Sequence, residues 1–242
     1  MTHQQTAHRA LIVGAIALAI GLGWTTSSRA FPNIQFWHLA SSGQARAGGN
    51  RAGGGGIYGT GGAQDFGILC SDCHIEPASG PGDIDFTYTV TPAFQNVGGV
   101  DAYVPGTRYT IRFNMTGTDL RRTGAMHSGN GMACAIEDSS GRRAGRFITD
   151  SGMDSQSCQP HAFNDMPANV PASATTFVTG DCHAVLPVGH ADLTHWTFDW
   201  VAPAAGTGAL NMFVGMVDGD QDGGSSLNDE VVERIIPLME GS

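Results

Sequence analysis

The sequence predicts an all-β fold, an Ig-like antiparallel β-sandwich preceded by a signal peptide and a Gly-rich linker. Three observations predict it. From residue 83 onward short runs of alternating or β-branched residues are separated by clusters of Gly, Pro, Asn and Asp, and no stretch keeps a helical period. In Thr194 to Val201 the side chains of Trp196, Phe198 and Trp200 fall on one face, with Thr197 and Asp199 on the other, as a half-buried strand requires. Glycine is abundant, at 35 of 242 residues, and marks the turns.

Taken in order, His8 and Arg9 precede an uncharged apolar run from Ala10 to Trp24, and Ser28-Arg29-Ala30 follows as a small-residue cleavage site. This is the pattern of an export signal cut after Ala30, and the run is too short for a spanning helix. Residues 31–68 read as a flexible linker, with Gly dominating Ser41 to Gly62. Residues 69–242 form the sandwich domain. Its expected strands are Asp85 to Thr91, Arg108 to Met115, Met132 to Glu137, Gly145 to Thr149, Thr175 to Val178, Leu193 to Val201, Ala209 to Val217 and Glu230 to Pro237. Met212 and Met216 lie four apart on one strand and are read as core filling. Val231 to Met239 is interrupted by Glu233, Arg234 and Pro237, so no membrane span is expected after signal cleavage.

All twelve basic residues are Arg, against 22 acids, for a net charge of −10. Loss of Arg9 and Arg29 with the signal makes the balance more negative. Such a chain is unsuited to nucleic acid or anionic membranes and suits cations or a basic partner. The expected location is periplasmic or secreted, where the five cysteines, Cys70, Cys73, Cys134, Cys158 and Cys182, are expected to be bonded; an odd count cannot all pair internally, and with Cys70 and Cys73 on haem one disulfide and one free or intermolecular thiol are left.

The most specific motif is Cys70-Ser71-Asp72-Cys73-His74. Two thiols at this spacing add across the vinyl groups of a haem c, and the adjacent imidazole of His74 is placed to ligate the iron. Zinc held by Cys70, Cys73 and His74 with Cys182 or His183 is an alternative. A sixth iron ligand would come from His or Met, with His190, His195, Met126, His127 and His161 as candidates.

The run Tyr103-Val-Pro-Gly106-Thr-Arg-Tyr109-Thr-Ile111 is followed by Gly131 to Phe147, by Cys182 to His190, and by Trp196-Thr-Phe-Asp-Trp200-Val-Ala-Pro203 with a turn at Gly206 to Gly208. In this order the landmarks resemble the Reeler (reelin N-terminal) domain and its bacterial secreted relatives, some of which carry a Cys-x-x-Cys-His near the start. The resemblance covers about Cys70 to Asp220. It implies an Ig-like sandwich, a disulfide from Cys70 or Cys73 to Cys182 as the alternative to haem, and His190 as the family histidine brought near the early cysteines. Asp150 to Thr179 has no counterpart in it.

A second motif runs from Asp218 to Asp229. Asp218, Asp220 and Asp222 stand at positions one, three and five of a calcium-loop template, Gly223 at six and Asp229 at twelve. Asp replaces the usual Glu at twelve and Ser225 stands where an apolar residue is usual, so an ordinary acidic turn between two strands is the alternative. No Gly-x-Ser-x-Gly, His-Glu-x-x-His or dinucleotide fingerprint is present, and independent catalysis is not expected. Two functions follow. One is a mono-haem electron-transfer module serving a redox partner protein. The other is a non-catalytic module that binds an extracellular ligand and is held by disulfides and calcium.

Overall fold

The computed structural model describes residues 58–72, 74, 84–117, 130–158, 171, 173–179, 182–188, 193–218 and 229–242. Eleven strands are present among them: β1 (Asp85–Thr91), β2 (Gln95–Val97), β3 (Val100–Tyr103), β4 (Arg108–Thr116), β5 (Gly131–Asp138), β6 (Arg146–Thr149), β7 (Thr176–Val178), β8 (Ala184–Pro187), β9 (His195–Val201), β10 (Leu210–Asp218) and β11 (Glu230–Glu240). They form a four-stranded sheet, β1-β4-β9-β6, and a seven-stranded sheet, β2-β3-β11-β10-β5-β8-β7. The all-β sandwich is as the alternation predicts. One pairing departs from the expected antiparallel rule, because β3 runs parallel to β11.

The core lies between the sheets. Period-two alternation sends Tyr109, Ile111, Phe113 and Met115 of β4 inward, and Trp196, Phe198 and Trp200 of β9 join them. From the opposite sheet come Met132, Cys134 and Ile136 of β5 and Leu210, Met212, Val214 and Met216 of β10, all in one buried cluster. Met212 and Met216 thus fill the core as read. Trp200 is the hub, stacked on Tyr109 at 5.9 Å and edge-on to Tyr103 at 5.7 Å between ring centres. Its Nε1–H donates to Ala144 O at 2.9 Å. Tyr109 Oη accepts from the Val104 amide at 2.8 Å, fixing the bend between β3 and β4.

Three strands escape the sequence reading. β2 is polar and fully exposed, and it turns into β3 through Gly98 and Gly99, both at positive φ, which is the geometry of a two-residue hairpin turn. β8 is too short for its alternation to register, and pairs with β5 and β7.

The seven-stranded sheet is buried on both faces at β5, where Met132 to Glu137 are all buried. Its outer face carries a second cluster of Tyr58, Ala133, Ala135, Phe177, Ala184 and Leu186. Tyr58 belongs to the segment that precedes the sandwich. Residues 58–68, read from sequence as linker, therefore pack on the sheet. They close on themselves through a Thr60–Leu69 bridge and a 3-10 turn at Ala63–Asp65.

Gly145 sits at φ +81°, and a Cβ there would lie 2.5 Å from both Trp200 Nε1 and Val201 O. Gly145→Ala is expected to lower stability by about 2 kcal/mol or more, through strain and displacement of the Trp200 hub. Urea denaturation followed by tryptophan fluorescence measures it; an unchanged midpoint would show that the hub tolerates the displacement.

Candidate functional site

The chemistry-bearing side chains gather on the outer face of the large sheet and at one end of it. Both groups depend on how residues 58–74 dock. Asp65, buried beneath this segment, accepts from the amides of Tyr58 (3.1 Å) and Thr60 (2.9 Å) and from the Thr60 hydroxyl. Burial raises its pKa more than these donors lower it.

Glu137, on the outward side of β5, forms the first anchor. Its Oε2 accepts from Ala63 N at 2.8 Å, and its Oε1 accepts from Gln64 N at 3.3 Å and faces His183 Nε2 at 2.8 Å. The carboxylate thus caps the 3-10 turn and is paired with a buried imidazole. Gly62 makes room for it, since a Cβ there would collide with the carboxylate. Burial pushes the Glu137 carboxyl up, but the His183 hydrogen bond and the two amides outweigh it and hold its pKa below the ordinary value.

The second anchor is Cys70. Its Sγ lies 3.2 Å from Gly59 O and sits over Gly215 of β10, where a Cβ would come within 2.6 Å of the sulfur. Beyond it, Ser71 N donates to Glu233 Oε1 of β11 at 2.8 Å and the Ser71 hydroxyl donates to Oε2 at 3.1 Å.

The third contact joins the two sequence motifs. His74 Nδ1 lies 2.7 Å from Asp229 Oδ2. Asp218 and Glu230 face one another across the β10–β11 ladder, and Asp218, Asp229 and Glu230 are all buried where β10 ends and β11 begins. Asp218 and Asp229 of the calcium-loop template therefore sit at the two ends of that loop. Asp220 and Asp222 lie outside the described residues, as do Cys73, His190, Met126, His127, His161 and the whole of the signal segment.

The cysteine expectations are corrected in one respect. Cys182 is bonded to Cys158, with Cα atoms 5.7 Å apart, so neither Cys70 nor Cys73 is its partner. The reason is topological: Cys182 sits at the β7–β8 turn with its partner supplied by the 150–179 stretch, whereas Cys70 lies over β10. The same finding removes Cys182 from the zinc alternative, and His183, its other candidate, is engaged with Glu137. Cys134 is a thiol in the core, its pKa pushed up by burial. His195 lies on β9 opposite the aromatic row, half-buried, as the alternation predicts.

Sequence reasoning missed the Glu137–His183 pair, because a lone Glu in a strand and a lone His after a cysteine carry no local signal. It also missed an open cleft of about 410 Å³ beside that pair. Both disulfide cysteines line the cleft, together with Arg142, Arg143, His183 and Gln64. Arg143 Nη1 donates to Ser155 O at 2.9 Å and to Cys182 O.

No protein-family profile matches the chain, and no curated protein matches it. Among solved structures it is similar to the human F-spondin reeler domain. One fragment of that domain shows 16% identity over 66% of this chain and 96% of that chain, with a TM-score of 0.39, and another fragment 18% over 67% and 92%, with 0.40. It is also similar to a conjugative transposon lipoprotein from Bacteroides eggerthii, at 16% identity over 62% of this chain and 95% of that chain, with a TM-score of 0.28.

The pairing of Glu137 has a definite pH signature. Its folded pKa is depressed, so its contribution to stability is complete above the ordinary value of 4.5 and is lost as pH falls through the lower folded value. Glu137→Gln is expected to cost about 1–3 kcal/mol at pH 7, with the difference from wild type shrinking below pH 4.5. Melting temperatures of both proteins from pH 7 down to pH 3 test this. A constant difference across that range would assign the loss to packing alone.

Proposed function

We propose that the protein is an exported, non-catalytic β-sandwich binding module whose β10–β11 loop takes a calcium ion. The observation that carries this reading is the burial of Asp218, Asp229 and Glu230 at the base of a loop whose sequence follows the calcium template. Among the described residues no three acids lie close enough together to hold an ion by themselves, so the reading rests on the sequence template, in which Asp220 and Asp222 add the hard oxygen donors that calcium takes. The disulfide and the net charge of −10 suit a chain working outside the cytoplasm against a basic or cationic ligand.

Within this reading His74 belongs to the support of the loop. Its bond to Asp229 ties the docked N-terminal segment to the loop end, so an ion there would stiffen both.

Haem attachment at Cys70 and Cys73 is the competing reading. In its favour, Asp229 orients the His74 ring through Nδ1, in the way outer-shell carboxylates orient metal-ligating imidazoles. Against it, Cys70 Sγ is turned onto the sheet, 3.2 Å from Gly59 O and over Gly215.

Two measurements test the proposal. Calcium added to chelator-treated protein is expected to raise the melting temperature, and Asp229→Asn to abolish most of the rise; no shift at millimolar calcium would reject the ion. Protein exported from cells that make c-type cytochromes is expected to be colourless and negative for covalent haem on a denaturing gel. A stain that disappears in Cys73→Ser would replace this proposal with the electron-transfer reading.

A further inference from the structure

We propose that the Cys158–Cys182 disulfide is an exchange site for small anionic thiols, and that opening it releases the N-terminal segment from the outer face of the sheet. The disulfide is not sealed in the core. It lines the open cleft, with Cys158 half-buried and Cys182 buried, so Cys158 is taken as the half of the bond that an incoming thiolate attacks. Arg142 stands at the cleft with its side chain 77% exposed, paired at one nitrogen with Asp138 Oδ2 at 3.2 Å, and Arg143 Nη1 donates to the Cys182 carbonyl. Two guanidinium groups beside a disulfide favour an anionic attacker over a neutral one and favour the thiolate that departs.

The chemistry balances with two thiols of a carboxylate-bearing class as the reductant. The first thiolate bonds to Cys158 Sγ, the Sγ–Sγ bond breaks, and its electron pair leaves on Cys182 Sγ. A second thiolate attacks the external sulfur of the mixed disulfide, freeing the Cys158 thiolate and giving the oxidised dimer of the small thiol. The protein gains two electrons, and its two thiolates take protons from water.

The consequence follows from connectivity. Cys182 is in the left-handed region, with φ +64°, in a turn closed by Cys182 N donating to Thr179 O at 2.8 Å. The next residue is His183, whose ring is bonded to Glu137, and Glu137 holds the Ala63 and Gln64 amides. Gln64, which lines the cleft, also donates to Gly141 O at 2.8 Å. Cutting the cross-link frees the turn that aims His183, which weakens the pair on which residues 58–72 are docked.

The test uses the full exported chain. Reduction of the disulfide is followed by alkylation and mass measurement, with glutathione as the anionic thiol and 2-mercaptoethanol as the neutral one, both rates expressed per thiolate. Glutathione is expected to be faster by roughly threefold to tenfold at low salt, with the advantage falling at high salt and in Arg142→Gln, an exposed change that leaves packing intact. Hydrogen exchange at the Ala63 and Gln64 amides is expected to accelerate about tenfold or more after reduction. Equal rates for the two thiols, indifferent to Arg142→Gln, would mean that the bond opens only with the whole fold and would overturn the exchange site. Reduction without faster exchange at those two amides would overturn the release.

Discussion

The structure depends on one constraint: β5 is buried on both faces, and its outward face holds a carboxylate. A sandwich sheet ordinarily keeps one face wet, and an acid there would be solvated by water. Here Glu137 is covered, so its charge must be satisfied by the protein itself, at a cost of several kcal/mol if it were not. The donors come from two distant parts of the chain, the amides of Ala63 and Gln64 and the ring of His183. Docking the N-terminal segment and placing the residue after the β7–β8 turn are therefore tied to one carboxylate.

The other anchors follow from that docking. Once Glu137 holds the 3-10 turn, the chain runs over β10 to β11, and each strand it crosses offers a fitted seat. At β10 the seat is an omission, because Gly215 removes the side chain that would exclude Cys70. At β11 it is a carboxylate, Glu233, that receives Ser71. The path ends with His74 at Asp229, where the loop between β10 and β11 closes.

How much of this is legible in the sequence depends on whether the signal is local. Strand periodicity is local, and β1 is found at its exact limits while the inward row of Trp196, Phe198 and Trp200 is read directly from alternation. The pairing of Gly98 with Gly99 is also a local hairpin signal, although the strands it joins are too short and polar to be noticed without it. Each half of the candidate site is legible, as a Cys-x-x-Cys-His and as an acidic loop. Their meeting is not, since His74 and Asp229 are 155 residues apart and nothing in either motif refers to the other. The Cys158–Cys182 bond was hidden for a related reason: Cys158 lies in the stretch without counterpart in the resembling family. That stretch is stitched in by Asp150, whose two oxygens accept from the amides and hydroxyls of both Thr175 and Thr176.

The position of Cys70 shows how a motif's chemistry is decided by its surroundings. A thiol reserved for a cofactor must present its sulfur to open space, whereas one used for packing turns it toward the protein. Glycine in the middle of a strand gives up side-chain contacts and conformational entropy, and such a position is kept where another group must approach the backbone closely. Gly215 lies in β10, paired on both sides, and the group that approaches it is the Cys70 sulfur. The strand has been shaped to receive that sulfur, so the first cysteine of the motif acts as a knob that registers the N-terminal segment on the sheet. His74, four residues on and bonded back through its amide to Cys70 O at 2.8 Å, is thereby delivered to Asp229. The spacing of Cys70 and His74 carries a contact from the middle of the sheet to the strand ends beside it.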